Sequence, residues 1–311
     1  MSEATVKREA LLKIRDLILQ KEFAQAAIIV SLFKANLKFS NVDELTFYAK
    51  LLMEIGEQKT AQQYLDAAID KALNGQMTNA LESLFWHLRT RPDLRFSRAG
   101  VALSYVLSLS DVSTVLDVGS GGGEHALEFA NSGRTVHCID LGKSIYVRQS
   151  EVIGSLNENA RITTTVGDFM QIEPKRSYDL VWCSHVLEHQ VNPNLFLKKC
   201  LDHLSDFGWL AITVPPLKHQ IVGGHVTLWN AGLLLYQLVL AGNDCSQAIV
   251  MNYEYNISVI VRKMPVVLPD LDFDSGDIDR LKAFLPEGCT ETFDGRMFGH
   301  AITNVEDSPL G

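Results

Sequence analysis

The stretch Val115-Leu-Asp-Val-Gly-Ser-Gly-Gly-Gly-Glu-His-Ala-Leu-Glu-Phe-Ala constrains this chain more than any other. It reads as a buried strand that breaks on glycines and restarts as a helix, the opening unit of an α/β sheet. Four glycines within Gly119 to Gly123 let backbone approach a ligand closely at the carboxyl edge of such a sheet, where open α/β folds bind. The loop is a poor phosphate cradle. The dinucleotide fingerprint asks for Gly or Ala where Glu124 stands, the Walker motif asks for a Lys that is absent, and an acidic helix start repels a pyrophosphate. A ligand bearing an ammonium or sulfonium group and no phosphate suits these residues.

Downstream, short apolar or β-branched runs alternate with helical stretches. The strand candidates are 114–118, 135–140, 162–166, 179–183, 209–214, 249–255 and 257–261. Strands separated by helices pair in parallel through right-handed crossovers, while the last two, joined at Asn256, read as an antiparallel hairpin. The expected fold is therefore α/β: a doubly wound, mostly parallel, seven-stranded Rossmann-like sheet ending in a β-hairpin. Ahead of it, residues 7 to 88 show apolar spacings of three and four with no strand signal, which predicts an all-α N-terminal domain. Gly56, Ala61, Leu65 and Ala68, and earlier Ala26, Val30 and Phe33, resemble the small-small-large spacing of a tetratricopeptide hairpin, without its Trp or closing Pro. Pro92 in the charged segment 89–96 marks the boundary. The expected domains are 1–95 helical, 96–264 ligand-binding and 265–311 a C-terminal extension.

Thirty-seven acidic against 28 basic residues give a net charge of −9, a field that repels phosphate backbones, so nucleic acid is not the expected partner. Neither a membrane-spanning run nor an apolar signal core stands out, and the five cysteines show no C-x-x-C spacing; a cytoplasmic protein with free thiols is expected.

Leu116-Asp-Val-Gly-Ser-Gly-Gly-Gly123 resembles the first motif of class I S-adenosylmethionine-dependent methyltransferases, and later segments come in order. Asp140 lies 21 residues after Gly119 at the end of the second strand, Asp168-Phe169 follow the third, and Tyr178 to His189 and Asp206 to Pro215 resemble the fourth and fifth strands with their exit loops. The resemblance implies S-adenosyl-L-methionine as cofactor. It would be held by Asp117, Gly119, Ser120, Gly121 and Gly123, by Asp140 and Leu141 at the ribose, by Asp168 and Phe169 at the adenine, and by Ser184 and His185. Asp117 also has a reading as the organiser of the loop.

The exit of strand four and the loop after strand five carry the acceptor side. The Asp/Asn-Pro-Pro-aromatic signature of exocyclic-amine methylation is absent, as is a Pro-Cys nucleophile. Instead His185-Val-Leu-Glu188-His189 stands at a predicted helix start, its titratable residues at i, i+3 and i+4. His189, His185 or His225 is expected to take the proton of a hydroxyl or amine. Alternatively Glu188 and His189 with His225 hold a divalent ion, similar to the Glu-x-x-Glu-His motif of ubiquinone-pathway O-methyltransferases. Here, however, His185 replaces a Glu, so the metal-free reading is taken. A third reading has these residues bracing the chain. His225 and Trp229, in the glycine-rich loop after strand five, are acceptor-pocket candidates, with Trp229 equally a helix anchor. The expected activity is methyl transfer to a small-molecule or glycan acceptor at oxygen. The alternatives are a protein methyltransferase that recruits its target through the helical domain, and a non-catalytic binding module.

Overall fold

The computed structural model describes residues 42–71, 89–95, 97–150, 158–173 and 177–293 continuously, with individual residues between and before these runs. The chain divides into two compact units, Met1–Ser97 and Arg98–Gly311. In the first, helices α1 (Val42–Glu54) and α2 (Gln58–Lys71) are joined by a turn in which Gly56 takes a φ of +81°. Tyr48, Leu51 and Leu52 of α1 and Ala61 of α2 share one buried cluster with Ile14, Leu17 and Ala26, and Tyr48 meets Tyr64 edge-on at 4.9 Å. Ala61, Leu65 and Ala68 are buried as their spacing predicts; Val30 and Phe33 lie outside the described residues.

The second unit opens with α3 (Gly100–Ser108) and then builds a seven-stranded sheet. Its strands are β1 (Thr114–Val118), β2 (Thr135–Asp140), β3 (Ile162–Val166), β4 (Tyr178–Ser184), β5 (Leu204–Val214), β6 (Ile249–Tyr253) and β7 (Asn256–Arg262). They lie in the order β3-β2-β1-β4-β5-β7-β6. The first five pair in parallel, and β7 runs antiparallel to both β5 and β6. Between the strands run α4 (Glu124–Asn131), α5 (Ile145–Gln149), α6 (Pro193–Asp202) and α7 (Ala231–Leu240), and α8 (Asp277–Leu281) follows the hairpin. The hairpin turn is Glu254-Tyr255, so Asn256 begins β7 instead of linking the strands.

From β1 the chain winds outward to β2 and β3, and from β4 it winds the other way to β5. The carboxyl ends of β1 and β4 are therefore neighbours whose loops diverge, with Val118 opposite Cys183, and this switch point opens a crevice. Strands covered on both faces are apolar nearly throughout: Val115, Leu116 and Val118 in β1, Leu180, Val181 and Cys183 in β4. Helix α4 seats Ala126, Phe129 and Ala130 on the sheet, with Phe129 edge-on to Trp182 at 5.7 Å. All five cysteines are buried free thiols, and no helix among the described residues is long and apolar enough to cross a membrane.

Phe129→Ala deletes a side chain with no exposed surface. It should cost about 3–5 kcal/mol, read as a lower urea midpoint at unchanged slope.

Candidate functional site

Where β1 ends, Gly119, Gly121 and Gly123 take φ values of +72°, +54° and +88°. The two outer positions admit only glycine. A Cβ on Gly119 would lie 2.2 Å from Val186 Cγ2, and one on Gly123 would lie 2.1 Å from Leu156 Cδ1, besides the left-handed backbone each would have to adopt. The loop is tied down from its own backbone: Gly119 N donates to Ile139 O at 2.7 Å and Gly123 N to Ser120 O at 2.9 Å. Asp140, at the tip of β2, closes the cradle. Its Oδ2 accepts from Gly121 N at 3.0 Å and its Oδ1 from Gly142 N at 2.7 Å, which leaves each oxygen a further lone pair for hydroxyl donors. Leu141 beside it is 55% exposed, an apolar wall at the same rim.

Asp117, Ser184 and Glu188 carry the chemical signal of this edge. Asp117 Oδ2, Ser184 Oγ and both Glu188 carboxylate oxygens are buried without an aligned hydrogen-bond partner, and all stand at the carboxyl ends of β1 and β4. Buried polar atoms are usually paired, so this concentration would suit donors from a ligand. Burial, and secondarily the charges of Asp140 and Glu124, push the Asp117 carboxyl up to about 8. A cationic group there would relieve that penalty. These residues fit S-adenosylmethionine: a carboxylate for the sugar diol, buried acid for a positive charge, and a glycine cradle without a pyrophosphate partner.

Asp168 caps a 3-10 turn, its Oδ1 accepting from Met170 N at 2.9 Å. The Phe169 ring is buried between Phe196 of α6, at 5.4 Å, and His203, at 5.0 Å. Trp229 is buried, its indole N–H donated to Thr227 Oγ1 at 2.9 Å, which ties down the loop from within.

The predicted helix at His185 is instead a single 3-10 turn, Leu187–His189, because His185 takes a left-handed φ of +56° and Pro193 already opens α6. The turn nonetheless gathers the titratable groups. His185 Nδ1 lies 3.2 Å and His189 Nε2 4.0 Å from Glu188 Oε1, with Glu188 buried and His189 43% exposed. The loop after β5 is strapped across this turn: Val226 N donates to Glu188 O at 2.9 Å. His189 Nδ1 donates to Gly224 O at 2.7 Å, which places the ring hydrogen on Nδ1 and leaves Nε2 with its lone pair. The strap also delivers His225, whose ring stands edge-on to His189 at 5.1 Å. Desolvation holds the His225 imidazole below its ordinary pKa although Glu188 pulls the other way. Ligand atoms of Glu188, His189 and His225 lie within 4.8 Å of one another, a spacing that a divalent ion could draw together.

Sequence reasoning passed over Arg98 and Tyr146. Arg98 Nη2 donates to Tyr146 OH at 3.0 Å, with its guanidinium 4.5 Å from that ring's centre, and Tyr146 Cβ lies 3.6 Å from where a Gly121 Cβ would stand. The Arg98 carbonyl accepts from His125 Nε2 at 2.9 Å, and His125 Nδ1 accepts from Trp182 Nε1 at 3.2 Å. Burial drives the His125 imidazole down to about 4, so it stays neutral and fixed. A cation thus sits at the cradle's rim through contacts 48 residues apart, which no local pattern reveals.

An acid that keeps its proton when folded and loses it when unfolded binds an extra proton on folding. Stability of the ligand-free chain should therefore fall as pH rises from 3.8 to about 8. Asp117→Asn should flatten that slope in urea titrations across the interval; an equal slope in the variant would remove Asp117 as its source.

Residues 86–238 match a family model described as a methyltransferase domain. The ubiquinone biosynthesis O-methyltransferase of Vibrio parahaemolyticus is 34% identical over 148 residues, 46% of this chain and 56% of that protein. Its namesake from Serratia proteamaculans is 38% identical over 88 residues, 28% of this chain and 36% of that protein. The chain thus spans about half the length, or less, of these curated relatives. Among solved structures, the Burkholderia thailandensis 1,6-didemethyltoxoflavin-N1-methyltransferase superposes with a TM-score of 0.43 at 16% identity, over 52% of this chain and 77% of that one, too distantly to bear on function. Over residues 86–238 the chain is thus similar to a methyltransferase domain.

Proposed function

We propose that the protein transfers a methyl group from S-adenosylmethionine to a hydroxyl oxygen of a small molecule. The observation that carries this is the meeting of His189 Nε2, His225 and the buried Glu188 carboxylate beside the glycine cradle, whose Gly119 abuts Val186 one residue before the turn. Bound cofactor supplies an electrophilic methyl carbon on a sulfonium, a reaction that asks the protein mainly for alignment and for removal of the acceptor's proton. Asp140 would hold the ribose diol, Arg98 the methionyl carboxylate, and Asp117 would balance positive charge. Leu141 would cover the nucleoside, with Ser184 and Asp168 lending polar contacts. His189 Nε2, freed by the Gly224 carbonyl, would receive the hydroxyl proton, and Glu188 would stabilise the resulting charge.

Oxygen as the atom methylated is supported by the name of the relatives, O-methyltransferase. The rim favours an acceptor with an apolar body over a glycan: Val191, Ile221, Val226 and Leu228, which flank His189 and His225, are more than half exposed. The net charge of −9 argues against a nucleic acid acceptor. A glycan acceptor and a protein target recruited through the helical region 1–95 remain the competing assignments, and the same assay separates all three.

Calorimetry with S-adenosylhomocysteine should show binding, and Asp140→Ala should weaken it at least about tenfold, the loss of hydrogen bonds to a charged group. Undiminished affinity in that variant would remove the ribose assignment. In a cell extract, label from methyl-labelled cofactor should enter the solvent-extractable fraction; label confined to polysaccharide or to acid-precipitated protein would overturn the small-molecule acceptor. His189→Ala should slow transfer by about 10²–10⁴-fold.

A second reading rests on the three converging ligand atoms: with two imidazoles and one carboxylate they would suit a zinc-like ion better than magnesium. Equilibrium dialysis against zinc should then give one bound ion per chain, lost in His225→Ala; no uptake leaves His189 acting as a free base.

A further inference from the structure

His185 is held by Thr213, Asn256, Glu188 and Tyr255. Its backbone N–H donates to Thr213 O at 2.8 Å, and its left-handed φ of +56° is a conformation that a histidine keeps only when its surroundings over-determine it. One edge of the ring faces Asn256, with Nε2 2.9 Å from Oδ1. The amide nitrogen of Asn256 is turned the other way, toward Tyr253 O at 3.5 Å, so the atom offered to the ring is an acceptor. The opposite edge faces Glu188, Nδ1 lying 3.2 Å from Oε1. Tyr255 stacks over the ring, centroids 6.4 Å apart at 16°, and Lys218 Nζ stands 4.2 Å from the centre of the Tyr255 ring.

Tyr255 lies in the β6–β7 turn and Asn256 opens β7. Because β7 is antiparallel to β5, with Val214 opposite Ile257, that turn emerges at the carboxyl ends of the parallel strands, on the reaction edge. Asn256 is only 8% exposed, so its amide has no solvent to fall back on. The Asn256 oxygen and the Glu188 carboxylate both accept, so a ring held between them carries a hydrogen on each nitrogen, Nε2–H toward Asn256 and Nδ1–H toward Glu188.

We propose that Asn256 is a positioning residue of the methyl-transfer site, holding His185 with its Nε2 hydrogen engaged while Nδ1–H is donated to Glu188, so that His185 fixes the carboxylate in place and takes no part in proton abstraction. The inference deepens the reading of residues 185–189 as the reaction edge and rests on it. It divides three histidines by task. His185, clamped on both edges, orients Glu188; His189 and His225, on the accessible side of that carboxylate, remain for the acceptor's proton or for an ion.

The test is long-range proton–nitrogen NMR on full-length protein labelled with ¹⁵N-histidine, the His185 signal assigned by its loss in His185→Gln. Wild type should show a protected hydrogen on His185 Nε2. Asn256→Ala should lose that protection, the hydrogen exchanging at least about tenfold faster once its partner is gone. Asn256→Asp, whose carboxylate offers the same acceptor, should restore it, which a purely structural role for Asn256 would not predict. Wild-type protein with no hydrogen on Nε2, or an Asn256→Ala spectrum unchanged from wild type, overturns the proposal. If Asn256→Ala does not fold, the wild-type and Asn256→Asp spectra decide alone: Nε2 must be protected in both. Calorimetry with S-adenosylhomocysteine on the same samples separates the two levels. Wild type that fails to bind it strikes the methyltransferase reading, while the His185 spectrum still judges the clamp.

Discussion

Everything at the site depends on a stretch of backbone that has no room for side chains. After β1 the chain must turn sharply out of the sheet and enter α4, and three residues of that turn sit in the left-handed region. Two of them are pressed against Val186 and Leu156 so closely that a single methyl group would not fit. That compression is what allows Asp140 to reach across and bond Gly121 N, and it brings the exit loop of β4 against the exit loop of β1. A bulkier loop would hold these elements apart, and the crevice at the switch point would lose its floor.

Around that floor the molecule tolerates an unusual concentration of unsatisfied polarity. Asp117, Ser184 and Glu188 are buried without aligned partners, a state that costs free energy and that the rest of the unit compensates with apolar strands and a well-packed α4. Sites that bind charged ligands commonly carry such a debt until the ligand arrives. The raised Asp117 carboxyl is the same fact expressed as proton affinity: with no cation near it, the buried acid keeps its proton.

The proposed acceptor side is assembled from three separate segments. The 3-10 turn supplies Glu188 and His189, the strap after β5 supplies Gly224 and His225, and the antiparallel hairpin supplies Tyr255 and Asn256. None of these is a long regular element. Their mutual bonds, Val226 N to Glu188 O and His189 Nδ1 to Gly224 O, do the work that helix packing does elsewhere. The extension beyond the sheet is held by its own electrostatics: Asp277 is buried and accepts from Phe273 N at 2.7 Å, while Arg280 reaches Asp272 at 2.6 Å.

Strands and the cradle were legible in the amino-acid order because they obey local rules. Period and β-branching mark β1 to β7, and runs of glycine can mean little else between a strand and a helix. What misled was also local: i, i+3, i+4 spacing at His185 to His189 imitates a helix. Composition, periodicity and glycine placement therefore determined the class of fold and where its ligand edge lies. Tertiary structure alone decided which way Phe169 and Trp229 face, that Arg98 meets Tyr146, and that Asn256 meets His185 across 71 positions. The physical reason is that secondary structure arises from interactions within a few residues. The aim of a side chain is set by which distant elements close around it, and that depends on strand order and crossing loops that no window of sequence contains.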